Sequence, residues 1–171
     1  MAIPTLNSVG FCAHYSKQGD WAFNLALKLS IEHNLQLNVF YFLRDPYNSD
    51  DITIQSLSHS DLEKLALAEE KKMRLYYDKR CGEYLNVGFR ICYDDSWKEL
   101  HRCFMIREFQ LLVLGYIKKD TLFIKKPIET FADDFISPVI LVGPDNPGQL
   151  YLNHQAKLIS FKLNLPAEYS N

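Results

Sequence analysis

Lysines crowd one short segment of this chain: Lys118, Lys119, Lys125 and Lys126 all lie in GYIKKDTLFIKKP, directly after the apolar run QLLVLG. An ammonium group is a point donor to phosphate, so this cluster is a candidate anion site. The plainer reading is a solvated loop leading into a helix. His14 follows the run VGFCA and is a candidate acid, base or ligand contact. Without an evident carboxylate or nucleophile beside it, a polar residue at a strand end is the plainer account. Asp94-Asp95-Ser96 follows NVGFRICY, where carboxylates suit Mg²⁺ or ribose hydroxyls. Helix capping explains the same trio without a ligand. Arg44-Asp45 reads as part of a turn. Tyr15, Tyr41, Tyr116 and Trp21 offer rings for stacking a base or for packing a core. No Ser-His-Asp order, HExxH, paired catalytic Glu or zinc-ligand spacing occurs, so the sequence shows no enzyme active site and no metal site.

Those residues need elements to hold them. Val9–Ala13 is a short apolar strand, and Gly19–Ser30 carries Trp21, Ala22, Leu25, Ala26 and Leu29 at helical spacing. Leu35–Leu43 is rich in β-branched and aromatic residues and predicts a second strand, closed by the turn sequence RDPYNSDD. The polar stretch from Tyr47 to Ser60 predicts a mobile connection. Ser60 or Asp61 is placed to cap a helix running to about Arg80, with Cys81-Gly82 as its stop. Asn86–Tyr93 predicts a third strand, and a helix capped by Asp94-Asp95-Ser96 runs through Arg107. Gln110–Leu114 is the fourth strand, Pro127–Phe135 the last helix, and Val139–Val142, entered through Ser137-Pro138, the fifth strand.

Strands alternating with helices require right-handed crossovers and a parallel sheet covered on both faces, which is a three-layer α/β/α sandwich. The tail from Pro144 to Asn171 lies outside the alternation. QLYLN and KLISFKLN suit a hairpin, whereas Leu152, Ala156, Ile159 and Leu163 suit one helix face; periodicity does not choose between them. The organisation expected is an α/β domain over 1–143 and a C-terminal extension over 144–171.

At 171 residues the chain is long enough to bury a core without disulfides or metals. Its 47% hydrophobic and 23% charged residues are ordinary for a globular protein, and a net charge of −2 argues against a general nucleic-acid binder. No window approaches the ~20 apolar residues of a membrane helix, and the N-terminus has no signal-peptide pattern, so a cytoplasmic protein is expected. Cys12, Cys81, Cys92 and Cys103 lack CxxC spacing and predict reduced, mostly buried thiols.

Two stretches carry a family resemblance. VGFCAHYSKQGDWAFNLALKLS, residues 9–30, resembles the first strand, Asp-x-Ser loop and Ala-spaced first helix of the universal stress proteins. QLLVLG at 110–115 and SPVILV at 137–142 are similar to that family's fourth strand and its Pro-Val lead-in to the fifth. The resemblance spans about residues 7 to 143 and implies a Rossmann-like parallel sheet of order 3-2-1-4-5, of adenine-nucleotide-binding ancestry. It also marks a candidate ligand crevice at Ala13, His14, Ser16, Leu43, Asp94, Gly115, Lys118, Lys125 and Lys126.

Departures from the family pattern fall inside that crevice. ATP-binding members carry Asp where this chain has His14, and Gly-x-x-Gly, then nine residues, then Gly-Ser or Gly-Thr after the fourth strand. Here the second Gly is Lys118 and, after a deletion of about three residues relative to the family, the Gly-Ser pair is Lys125-Lys126; only Ser16 and Gly115 match. Glycines let backbone N–H groups approach phosphate, so their loss removes the cradle. The chain resembles the members that lack this loop and form homodimers without nucleotide, and no cofactor is expected. The expected partner is a second copy, joined through the fifth strand Val139–Val142 and the C-terminal extension, because an apolar edge strand has to be covered or paired. The alternative is a sensor or weak ATPase that holds ATP, AMP or another phosphate ligand with lysines.

Overall fold

The computed structural model describes residues 5–48, 57–93 and 95–165. The parallel sheet is built from β1 (Ser8–Cys12), β2 (Gln36–Phe42), β3 (Val87–Cys92), β4 (Leu111–Gly115) and β7 (Val139–Val142), in the order β3-β2-β1-β4-β7. β1, β4 and β7 are buried along their whole length, which is why each reads as an unbroken apolar run. Helices α1 (Lys17–His33) and α2 (His59–Cys81) cover one face, and α3 (Ser96–Met105) and α4 (Ile128–Asp134) the other. The sheet therefore separates two apolar clusters, one around Phe11, Phe23 and Tyr77, the other around Phe40, Phe109 and Phe131.

Local chemistry sets the helix ends. Ser16 Oγ accepts the Gly19 N–H at 2.9 Å and starts α1, while Asn34 ends it in the left-handed region. α2 is capped by Ser58, whose Oγ accepts from Asp61 N at 3.1 Å, so it begins a turn's fraction earlier than a cap at Ser60 or Asp61 allows. Gly82, at φ 61°, stops it as expected. Asp95 caps α3 through bonds from the Trp97 and Lys98 amides.

The tail is neither a hairpin of its own nor one helix, the two alternatives its periodicity left open. β8 (Leu150–Leu152) pairs antiparallel with β7, and α5 (His154–Ile159) then places Ala156 and Ile159 in the first cluster beside Leu163. Val139–Val142, expected at the edge of the sheet, is an interior strand. Asn153, only 1% exposed, fastens the arrangement. Its Oδ1 accepts from Val139 N and Ala156 N, both at 2.9 Å, and its Nδ2 donates to the carbonyls of Ala132 (2.8 Å) and Ser137 (2.9 Å). One amide side chain thus satisfies a strand, a helix start and a helix end in the dry interior.

The second departure is the lysine segment. It folds into a small antiparallel hairpin, β5 (Leu122–Phe123) with β6 (Lys126–Pro127), turning at Ile124 and Lys125 with both residues at positive φ. Among the described residues no helix is long and apolar enough to cross a membrane. All four cysteines are free thiols and buried.

Candidate functional site

Ligands in open parallel sheets bind beyond the carboxyl ends of the strands, where the order reverses. In this sheet that position lies between β1 and β4. From β1, Ala13 continues the ladder with its N–H on the Phe40 carbonyl at 2.8 Å, and the chain then turns so that His14 and Ser16 stand over the crevice. His14 Nδ1 lies 2.8 Å from Ser16 Oγ. Ser16 Oγ also accepts from Gly19 N, so the same hydroxyl ties the imidazole to the start of α1. Burial lowers the His14 pKa below its ordinary value, opposed by the nearby Asp45 carboxylate.

The loop after β2 closes the crevice. Buried Leu43 extends the ladder to the Cys92 carbonyl at 3.0 Å, and Asp45 Oδ1 then accepts from Tyr47 N at 2.9 Å in a tight Asx turn. This turn aims Tyr47 inward. Its ring centre sits 4.4 Å from that of His14 and 4.9 Å from that of Phe123, and its hydroxyl donates to the Gly115 carbonyl at 2.8 Å. Burial raises the Tyr47 pKa well above the ordinary phenol value. Pro46 O accepts from Ile124 N at 2.7 Å, so the loop and the hairpin tip hold each other in place.

Three backbone amides of the segment after β4 are already engaged. Lys118 N donates to Thr121 Oγ1 at 2.8 Å, Thr121 N to the Lys118 carbonyl at 3.0 Å, and Ile128 N to the Thr121 carbonyl at 2.7 Å. Tyr116 folds back onto α4, where its hydroxyl bonds the Glu129 carboxylate. The lysines do not fill the crevice. Lys118, Lys119 and Lys125 are exposed, and Lys126 reaches the other way, 3.3 Å from Asp134 and over the Trp97 ring. Bulk in the crevice comes instead from Tyr47 and Phe123. Asp94, the remaining acidic candidate, lies outside the described residues, as do residues 49–56 of the connection expected to be mobile.

Gly115 and Ser16, the two residues matching the ligand pattern, both have structural work. A Cβ on Gly115 would lie 2.9 Å from the Gly19 nitrogen and 3.0 Å from the Gln18 carbonyl carbon, so its bareness lets α1 dock against β4. Ser16 is the helix cap. Tyr47 and Phe123 were absent from the sequence candidates. The one signal for either was an aromatic residue set among turn formers in RDPYNSDD, and another among lysines.

Neither a family model nor a curated protein sequence matches the chain. Solved structures do resemble it. Universal stress protein UspA from Lactobacillus plantarum superposes with a TM-score of 0.58 at 16% identity, covering 82% of this chain and 99% of that one. A universal stress protein family member from Burkholderia pseudomallei gives 0.53 at 15% identity, covering 80% and 96%. A universal stress protein solved in complex with cAMP gives 0.53 at 14% identity, covering 82% and 99%. At such identities the likeness is one of fold.

Proposed function

We propose that this chain is a cytoplasmic, non-catalytic binding and regulatory protein of the universal stress protein type, homodimeric, with a degenerate nucleotide site. One observation carries the reading: Tyr47 occupies the crevice at the β1/β4 switch point and bonds the Gly115 carbonyl. A nucleoside entering there has to displace a ring that contacts His14 and Phe123, and its phosphates meet amides already committed to the Lys118–Thr121 turn. The structural neighbours support the family type, and one of them binds cAMP.

Binding of a phosphate ligand by lysines is the rival reading. Lys126 is drawn off by Asp134, which leaves Lys118 and Lys125 as solvent-facing charges with no ion pair among the described residues. Isothermal titration of the full chain with ATP, AMP and cAMP separates the two. No heat of binding at millimolar nucleotide is the expected result. Saturable ATP binding that weakens in the Lys125→Ala, Lys126→Ala double variant would establish the lysine site instead.

A further inference from the structure

The homodimer in the reading above needs a surface, and the fifth-strand edge is filled by β8. At the other end of the sheet no described strand lies beyond β3. β3 pairs only with β2, through a ladder in which Leu37 N donates to Asn86 O and Leu43 N to Cys92 O, both at 3.0 Å. In a parallel ladder the backbone groups of alternate residues turn to alternate sides. Gly88, Arg90 and Cys92 therefore face β2, and the N–H and C=O groups of Phe89 and Ile91, with the C=O of Val87, face outward. No other described strand meets them.

A groove flanks this edge on each face of the sheet. On the α2 side a hollow of 220 Å³ is lined by Leu67, Phe89, Ile91 and Tyr93 together with Glu70 and Arg90, with Leu67 69% exposed. On the α3 side a hollow of 360 Å³ is lined by Asn38, Gly88, Arg90 and Glu108. Grooves on both faces beside a bare edge are what an added strand requires, because its side chains alternate between the two.

The sequence of β3, VGFRIC, is complementary to itself when reversed about Phe89. We propose that a second copy of this chain adds its β3 antiparallel at this edge, with Phe89 opposite Phe89 across a two-fold axis. In that register Val87 of each copy faces Ile91 of the other, so the outward-bonding positions match apolar to apolar on the α2 face. Gly88 faces Arg90. Each guanidinium then covers a residue with no side chain, and the two Arg90 charges are kept apart, each neutralised by the Glu108 of its own copy. A one-residue slip in either direction sets unlike faces together and loses this match. An exposed Leu67 beside the seam becomes covered. The partner is thus a second copy rather than an arbitrary extended peptide, since a reversed copy of this strand brings glycine to arginine at both symmetric positions at once.

The test uses the full chain. Analytical ultracentrifugation over a dilution series should show a dimer. Phe89→Pro should raise the dimer dissociation constant at least tenfold, because it removes an outward N–H that the β2 ladder does not use, leaving far-UV circular dichroism unchanged. A second arm is independent of stability. Under mild oxidation Phe89→Cys should cross-link into a covalent dimer, since directly opposed, hydrogen-bonded residues lie within disulfide reach. Tyr93→Cys, paired in this register with position 85 of the other copy, should not. A monomer at every concentration would overturn the homodimer reading together with this surface. A dimer that persists in Phe89→Pro, or in which Phe89→Cys fails to cross-link, would overturn the β3 surface alone. Neither outcome bears on the crevice, which the nucleotide titration tests.

Discussion

The two ends of the sheet solve the same physical problem in opposite ways. At the β7 end the chain doubles back, and β8 satisfies the outer backbone groups of Val139–Val142 while Asn153 locks the return. At the β3 end no described strand lies beyond, Val87–Ile91 are half-buried, and the outward amides of Phe89 and Ile91 meet no described strand. The difference shows that the two edges of one sheet can be treated separately. A short tail suffices, provided that it brings a polar anchor able to satisfy several buried groups at once.

The severest way to break this contrast is to remove residues 144–171. That deletion strips β8 from β7 and uncovers Ile140 and Val142, and the shortened chain should be recovered as aggregate, scored by light scattering against the full chain. Next in size is Asn153→Ala, which leaves buried donors and acceptors on Val139, Ala156, Ala132 and Ser137 unpaired. It should cost about 3–5 kcal/mol in urea unfolding. A loss below about 1 kcal/mol would mean that the tail is held by apolar packing alone.

A matched pair sharpens the comparison. Ile140→Ala, at a fully buried site of the sealed end, should cost about 3 kcal/mol, and Ile91→Ala, at the half-buried open end, about 1 kcal/mol. Equal costs would show that the β3 edge is already covered in solution, which is the dimer itself.

Between the two ends lies the crevice, and acid probes it. The folded His14 pKa is lowered by burial, so the unfolded chain binds a proton more readily than the folded one. Stability from this group is complete above the unfolded value of about 6.5, and falls as pH drops through the lowered folded value. The urea midpoint should decline across that window in the native chain and decline less in His14→Asn. The smallest effect expected is at the hairpin tip. Lys125→Gly relieves a left-handed residue at φ 65° and should gain about 1 kcal/mol in urea unfolding.

Much of the scaffold was legible because buried parallel strands leave a plain mark. Val139–Val142 occupies the residues expected, and the other four parallel strands shift by a residue at each boundary. Gly82 and Asp95 announced a helix end and a helix start through side-chain chemistry that acts locally. What sequence periodicity did not reveal was set by partners distant in the chain. LYL is too short to show a strand period, and its conformation follows from the open side of β7. Ile124-Lys125 is an unusual pair for a tight turn, since neither residue favours positive φ; the Pro46 carbonyl and the second apolar cluster hold Ile124 there. Lysines in the loop suggested a crowded anion site, but long charged side chains seek water, and the occupant proved to be an aromatic residue from another loop. Tyr47 could be placed only once the turn at Asp45 had fixed its direction.

Gly115 illustrates how a sequence signature can mislead. A glycine closing the fourth strand fits a nucleotide-capture pattern, yet in this molecule its missing methyl makes room for a helix to seat itself. Any homologue that keeps α1 so close to β4 must retain that glycine whether or not it ever meets a phosphate. Surveys that sort such chains into binders and non-binders should therefore weigh the glycines farther along the loop, where only a ligand demands bareness.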